Sequence, residues 1–224
     1  MLYLMKKCYA INVMESTEKK KKEIISVGKN TEDYFPQIEL EDLQSMEELY
    51  FLWYLCDLKD AGYVEDAWYE DDTFTLGKGY EKEYKVVMKT KTKIKKETVV
   101  KPTVYTPDFK IKWTEEAVGV FYMDYVAEER ITYSSKPVFS LGMDLTSYIE
   151  VKPDFDFNNM TRYAKIKMNW LFQQTGVFTN LVKVPTVFKN TFTPDRYILT
   201  DNNKRTRQIK FKIKTIQEFV KTKI

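Results

Sequence analysis

The feature that most constrains how this chain can fold is one helical segment followed by a change of period. Over residues 40–62 apolar side chains recur at helical spacing, acidic residues crowd the start, and Gly62 supplies a C-terminal stop. The residues that follow alternate with a period of two, which is typical of strands. The sequence therefore predicts a helix over 40–62 that leads into a β-sheet.

Several later segments also show patterns typical of strands. They are 63–68, 72–76, 82–88, 89–100, 104–113, 118–133, 147–152, 181–184 and 207–216. Residues 159–175 predict a second helix, ended by Gly176, and residues 1–13 with 23–28 predict an N-terminal hairpin. This order predicts an α/β (α+β) fold with a mixed β-sheet flanked by helices and with strand-rich termini.

One domain over residues 1–224 is expected, because the chain has no low-complexity linker and is 43% hydrophobic, enough for a core. Its core is placed at about 40–184. No apolar run approaches the roughly 18 residues of a membrane span, and Lys6 and Lys7 interrupt the apolar start. We therefore expect a cytoplasmic protein without a membrane partner.

The absence of histidine excludes several kinds of chemistry. Serine or cysteine nucleophiles activated by histidine, and zinc sites built on histidine, are ruled out. The two cysteines, Cys8 and Cys56, lie in apolar segments without metal-site spacing, so we expect small buried hydrophobes. Any catalysis must use carboxylates, lysines, hydroxyls and a hard metal ion.

Charge is distributed unevenly along the chain, although the net charge is only +3. Residues 31–72 are rich in acids, whereas the chain from Lys183 onward is rich in lysine and arginine. A basic segment beside an acidic core suits a polyanionic partner. The alternative is that residues 185–224 form solvated edge strands whose lysines prevent aggregation.

Two apolar strand patterns each contain a carboxylate, at Asp108 in YTPDFKIKW and at Glu150 in SYIEVKPDF. Charge inside such a pattern is costly unless it serves a purpose. Two acids on adjacent strands can bind one Mg²⁺, and the main-chain carbonyl of Val151 is a further candidate ligand. Strand alternation puts Lys152 on the same face as Glu150, where its ammonium group can stabilise charge during phosphodiester hydrolysis.

The short Asp/Glu-x-Lys pattern alone is weak, since residues 18–20, 57–59 and 83–85 match it as well. Only Glu150 and Lys152 lie in a β-branched and aromatic strand pattern, and only Asp108 follows a proline in a second one. The alternative interpretation is that both carboxylates lie on the surface of amphipathic strands.

Over residues 44–172 the chain resembles the PD-(D/E)XK nuclease superfamily. The resemblance is carried by SMEE at 45–48, AGYV at 61–64, FTL at 74–76, TPDF at 106–109 and YIEVK at 148–152. Members open with a helix that carries a glutamate, followed by a hairpin, the Pro-Asp strand, the Glu-x-Lys strand and another helix. The resemblance implies a restriction-endonuclease-like fold and metal-dependent cleavage of DNA.

Carried over residue by residue, the resemblance makes Asp108 and Glu150 metal ligands and Lys152 the catalytic lysine. Glu48 corresponds to the acid of the first helix, which would hold a metal-bound water or a second metal ion. Its neighbour Glu47 is the rival for this place, because adjacent helical residues point about 100° apart and only one can face the cleft. Mg²⁺ or Mn²⁺ is the implied cofactor.

In the second helix, Lys165 and then Lys167 match basic residues that face the DNA backbone in small phage-encoded relatives. The alternative is the polar face of an amphipathic helix. The resemblance also departs in two places, because it requires an insertion at about 114–143, which could form an extra hairpin, and because Pro153 replaces a usual glycine.

The expected function is a phage-encoded, metal-dependent endonuclease acting on DNA in replication, recombination or packaging, in the cytoplasm of the host cell. A homodimer is the expected assembly, because symmetric cutting of two strands suits twofold symmetry. Two other classes stay open: a non-catalytic DNA-binding or assembly module with a nuclease-like fold, and an unrelated β-rich structural virion protein.

Overall fold

The computed structural model describes residues 31–124, 139–140, 144–154, 160–199 and 207–223. Its α-helices are α1 (Met46–Asp60), α2 (Met160–Thr175), α3 (Val184–Asn190), α4 (Asp195–Ile198) and α5 (Ile216–Val220). Its strands are β1 (Val64–Tyr69), β2 (Phe74–Gly77), β3 (Tyr80–Val87), β4 (Thr92–Val100), β5 (Thr103–Tyr105), β6 (Phe109–Trp113), β7 (Met123–Asp124), β8 (Phe139–Ser140), β9 (Thr146–Val151) and β10 (Thr179–Val182). Short 3-10 helices span Thr31–Asp33 and Glu115–Ala117.

A four-stranded sheet in the order β1-β6-β9-β10 forms the centre of the protein. The β1–β6 and β6–β9 pairs are antiparallel, and the β9–β10 pair is parallel. Two further antiparallel pairs, β2–β5 and β3–β4, lie in sequence between β1 and β6. The prediction of helices combined with a mixed sheet is confirmed.

Helix α1 begins six residues later than the predicted position 40. Its N-cap is Ser45, whose side chain accepts from the backbone of Glu48 while the Glu48 side chain accepts from the backbone of Ser45, so a capping box fixes this end. The spacing of Leu40 and Leu43 predicts helix, but both residues lie in the segment before α1 and are buried in the core. The predicted stop is confirmed, because Gly62 adopts a left-handed φ of +83°.

The main core lies between α1 and one face of the central sheet. In β6 the side chains of Phe109, Ile111 and Trp113 are fully buried, and the indole of Trp113 donates to Ser147 Oγ at 2.8 Å. Burying side chains of this size stabilises the fold by about 2 kcal/mol each. Because side chains alternate across a strand, the intervening positions face the opposite side of the sheet.

A second, smaller core covers that opposite face. Helix α2 packs there against β2, β5 and β10. The buried residues of this second core are Leu76, Tyr105, Ala164, Met168, Leu171 and Leu181. The face that would otherwise be solvent-exposed is therefore partly enclosed beside β9.

The prediction of a strand in the C-terminal basic segment is wrong. Residues 207–215 alternate like a strand but form none; they make isolated backbone bonds, such as Thr193 N–H to the carbonyl of Lys214 at 3.0 Å. A strand requires a ladder of bonds with a neighbouring strand, and the described residues of this segment form no such ladder. The alternation instead lays Phe211 against the core, and residues 185–224 contain helices α4 and α5 and most of α3.

Other boundaries also differ from the sequence prediction. Residues 118–122 form a turn rather than the start of a long strand over 118–133, and two short segments within the predicted insertion pair in parallel as β7 and β8. The strand predicted at 181–184 lies two residues earlier as β10, because Val184 starts helix α3. The N-terminal hairpin and Cys8 fall outside the described residues.

Cys56 is free and buried, as the sequence predicted, and burial raises the pKa of its thiol to about 12. None of the helices in the described ranges is long and apolar enough to cross a membrane.

Candidate active site

Asp108 and Glu150 face each other on neighbouring strands. Phe109 pairs with Ile149 in the antiparallel β6–β9 ladder, so Asp108, one residue before β6, lies opposite Glu150 of β9. Both take the face opposite Phe109 and Ile149, which are in the main core. Lys152 follows the end of β9 and shares the face of Glu150 by alternation.

The ammonium group of Lys152 lies among three oxygen acceptors. Its Nζ is 2.7 Å from Glu150 Oε1, 2.9 Å from the carbonyl oxygen of Val151 and 3.7 Å from Asp108 Oδ2. These three oxygen atoms belong to the residues that the sequence predicted as metal ligands, Glu48 excepted. The structure thus brings Asp108, Glu150, Val151 and Lys152 into one cluster, while their catalytic roles stay predictions.

Two neighbouring groups orient the carboxylates. The backbone N–H of Val151 donates to Asp108 Oδ2 at 2.6 Å, and the hydroxyl of Tyr105 donates to Glu150 Oε2 at 2.7 Å. Within the described residues no donor bonds Asp108 Oδ1. Each carboxylate therefore has one oxygen fixed by the protein and one directed to the cluster or left open.

Burial and crowding of like charges dominate the electrostatics of this cluster. Burial, followed by the charge of Glu150, raises the pKa of Asp108 to about 8, although Lys152 opposes the change. Burial lowers the pKa of Lys152, but the charges of Asp108 and Glu150 outweigh it, so the net shift is upward. Burial and the adjacent Glu150 also raise the pKa of Tyr105, which keeps its hydroxyl a hydrogen-bond donor.

Glu48 lies at the N-terminus of α1 and is buried, but both of its oxygens are already bonded. Oε2 accepts from the Gln44 N–H at 2.6 Å and from the Tyr69 hydroxyl at 2.9 Å, and Oε1 accepts from Ser45 Oγ at 2.7 Å. Its charge acts on both Asp108 and Lys152. In this structure Glu48 thus acts on the cluster through its charge while serving as a capping residue.

The structure also separates Glu48 from its rival Glu47. Glu47 is half-buried, and its charge acts on Tyr50, away from the cluster. Sequence reasoning missed the capping role of Glu48, although the Ser45-x-x-Glu48 spacing is a recognised signature of a helix start. The same signature would have corrected the predicted start of α1.

Glu70 is a further acid that sequence reasoning did not single out. Its backbone N–H donates to the carbonyl of Asp108 at 3.0 Å, and its side chain accepts from Gln44 Nε2 at 2.8 Å. Burial, then the charge of Glu48, raises its pKa, with a smaller contribution from Glu150. Its φ of +47° is a left-handed conformation that non-glycine residues rarely adopt, and such strain concentrates at functional sites.

Tyr105 was missed as well, although it lies three residues before Asp108 within the same strand pattern.

The two lysines predicted to face DNA, Lys165 and Lys167, lie on α2, which covers the same face of the sheet as the cluster. Lys167 is exposed and Lys165 is half-buried. Among the described residues, the cation that pairs with Asp108 and Glu150 is Lys152 rather than either of these lysines.

In the described ranges no group of three or more His, Cys, Asp or Glu side chains is arranged to hold a metal ion. The donors around Lys152 are nevertheless two carboxylates and one carbonyl, the hard oxygen ligands that Mg²⁺ accepts together with water. They already surround a cation, the ammonium of Lys152. The donor set therefore fits a divalent cation once Lys152 moves aside, and Glu48 is not part of that set.

Comparisons of the chain with protein-family models, with curated proteins and with solved structures returned no match.

Proposed function

We propose that this protein is a metal-dependent nuclease that hydrolyses DNA phosphodiester bonds, with a restriction-endonuclease-like arrangement of its central sheet. The observation that supports the proposal most is the position of Lys152 among Glu150 Oε1, the Val151 carbonyl and Asp108 Oδ2. Two acids and a lysine enclosed together are costly for stability, because burial raises the pKa of Asp108. A catalytic function accounts for that cost.

In the proposed site Asp108, Glu150 and the carbonyl of Val151 hold Mg²⁺ or Mn²⁺. A divalent cation there supplies neutralising charge at the scissile phosphate and lowers the pKa of bound water. Tyr105 keeps Glu150 in one orientation, so that Oε1 stays directed at the cluster. The Val151 N–H in turn holds Asp108 Oδ2 in position by a hydrogen bond.

Lys152 then has a second role. Once it no longer lies between the two acids, its ammonium group remains tethered beside them and can donate to a phosphate oxygen or orient the attacking water. In the metal-free protein the charges of Asp108 and Glu150 raise the pKa of Lys152, which keeps it charged at neutral pH. The lysine thus serves as the internal cation of the metal-free protein and as the donor to the substrate.

The test is cleavage of supercoiled plasmid, single-stranded, flap and four-way-junction DNA with Mg²⁺ or Mn²⁺, against EDTA. The variants are Asp108→Asn and Lys152→Met. Lys110→Met is the matched control, because Lys110 on β6 also pairs with two aspartates, Asp71 at 3.1 Å and Asp72 at 2.8 Å. We expect metal-dependent cutting in the wild type and the control, and its loss in both variants.

Retained cutting in Asp108→Asn or Lys152→Met would refute the proposed site. A wild type that binds DNA but cuts none of these substrates under either metal would instead indicate a non-catalytic binding module. The filled cluster, in which Lys152 already lies against both acids, is the observation that favours this second function.

A further inference from the structure

A two-stranded ribbon projects from the body beside the candidate active site. Strands β3 and β4 pair antiparallel from Glu81↔Thr98 to Val87↔Thr92, and the Met88 N–H closes the turn on the Lys91 carbonyl at 2.9 Å. At about 3.3 Å per residue the eight residues of β3 extend for roughly 25 Å.

Both faces of this ribbon are open to solvent. All nine residues of β4 and seven of the eight residues of β3 are exposed. Even large apolar side chains are exposed, with Val87 at 79% and Ile94 at 65%. A two-stranded ribbon without a packed face is marginally stable in water, so its length and exposure indicate a partner that covers it.

The charge of the ribbon indicates what kind of partner that is. Residues 78–101 contain nine lysines and three glutamates, a net charge of +6 against +3 for the whole chain. The lysines are Lys78, Lys82, Lys85, Lys89, Lys91, Lys93, Lys95, Lys96 and Lys101. Excess positive charge of this density is the electrostatic signature of a polyanion-binding element.

The lysines are present on both faces. On the first face the cross-strand pairs are Lys82↔Glu97, Tyr84↔Lys95 and Val86↔Lys93. On the second face are Lys85↔Ile94 and Glu83↔Lys96, and the latter is an ion pair of 3.1 Å. A flat anionic surface would contact only one face of the ribbon. A groove with a row of phosphates on either side suits a ribbon with lysines on both faces.

The base of the ribbon is anchored at the candidate site. Strands β2 and β5 pair directly below it, and Tyr105 at the end of β5 donates to Glu150. Helix α2 holds the other side, since Gln174 Nε2 donates to the Leu76 carbonyl at 2.8 Å. At Gly77 an added Cβ would lie 3.3 Å from the ring of Trp170, so helix and base pack closely. The ribbon is therefore positioned from the same residues that orient Glu150.

We propose that the β3–β4 ribbon lies in the major groove of duplex DNA and holds the duplex across the cluster of Asp108, Glu150 and Lys152. The major groove of B-form DNA, about 12 Å wide, admits a two-stranded β-ribbon and flanks it with phosphates on both sides. The deep, narrow major groove of duplex RNA does not. The inference rests on the proposed function in one respect only, namely that the cluster across which the duplex is held is the active site.

The test measures binding of a fluorescent DNA duplex in EDTA, where cleavage does not contribute. The ribbon variant replaces Lys82, Lys93 and Lys95, all on the first face, by glutamine. The control variant replaces Lys19, Lys20 and Lys21 by glutamine, which removes the same amount of charge from a lysine run elsewhere in the chain. Because the ribbon side chains are exposed, these substitutions leave the core untouched, and urea unfolding confirms that each variant is folded.

We expect the ribbon variant to bind the duplex at least about tenfold more weakly at about 0.1 M salt, with the slope of log K against log salt reduced by about three. The control should stay near the wild type, and duplex RNA of the same sequence should bind more weakly than DNA. Methylation of guanine N7, which lies in the major groove, should interfere with binding.

Equal weakening in the ribbon and control variants, no weakening in the ribbon variant, equal affinity for duplex RNA, or binding indifferent to N7 methylation would each overturn the inference. Its failure is distinguishable from failure of the proposed function. A wild type that cleaves DNA while the ribbon variant binds normally refutes the ribbon alone. A protein that never cleaves, but whose DNA affinity depends on the ribbon, refutes the nuclease alone.

Discussion

In the metal-free protein, the stability of the Asp108→Asn variant relative to the wild type should increase as pH rises. Burial and Glu150 raise the pKa of Asp108 from an ordinary 3.8 to about 8 in the folded protein. The folded state therefore binds this proton more tightly than the unfolded chain, and the free energy of unfolding falls as pH increases between these two values. Asparagine carries no such proton, so the variant lacks this decline.

The magnitude follows from the two pKa values. Relative to low pH, this carboxyl group lowers the free energy of unfolding by about 2 kcal/mol at pH 5 and about 5 kcal/mol at pH 8. The difference between Asp108→Asn and wild type should therefore grow by roughly 3 kcal/mol from pH 5 to pH 8. The substitution also changes the hydrogen bond that the Val151 N–H donates to this side chain, which shifts the difference by a similar amount at every pH and leaves its growth unchanged.

The assay is urea unfolding of both proteins in EDTA at pH 5, 6, 7 and 8. Glu65→Gln removes one carboxylate from an exposed position of β1 and serves as the control for the loss of charge alone. Its difference from the wild type should change much less over this range. A difference for Asp108→Asn that is flat, or that shrinks as pH rises, would refute the argument that burial holds a proton on Asp108.

Three further results are expected. Mg²⁺ binding at pH 7 should release about one proton because the buried aspartate must ionise, and calorimetry in two buffers of different ionisation enthalpy measures this; no release would contradict it. Tyr105→Phe should reduce cleavage at least about tenfold without weakening DNA binding, whereas Tyr148→Phe, which removes a donor to a different carboxylate, should have a smaller effect. Glu48→Ala should reduce cleavage more than Glu47→Ala, and the reverse order would move the relevant acid by one position. Ser45→Ala breaks the same capping box at a cost of about 1 kcal/mol, so its effect shows how much of the Glu48→Ala reduction comes from lost helix stability.

Several features of the fold were readable from local patterns. The alternation in Phe109–Trp113 indicated which side chains enter the core, because a strand of the central sheet has one face against α1. The stop of α1 was readable because Gly62 can adopt a positive φ at little cost. The buried state of Cys56 was also readable from its apolar neighbours.

Other features depended on partners far away in sequence. Residues 207–215 have the alternation of a strand but form no ladder with any described strand, and their Phe211 packs against the core instead. The start of α1 was decided by the capping box at Ser45, which competes with the hydrophobic spacing of Leu40 and Leu43. The pairing of β7 with β8 in parallel required knowledge of where the chain returns.

By itself, the sequence determined the chemistry available to this protein. Lacking histidine, it is restricted to carboxylates, lysines and hydroxyls, and the strand patterns around Asp108 and Glu150 marked which acids are enclosed. Only the tertiary structure decided that Lys152 lies between them and that Tyr105 orients one of them. It also showed that Glu48 is bound within a helix cap and that the lysines of β3 and β4 project as a ribbon from the same site. The physical reason is that chemistry resides in the side chains, whereas distances of about 3 Å between residues roughly 40 apart are set by strand register and by packing on the other face of the sheet.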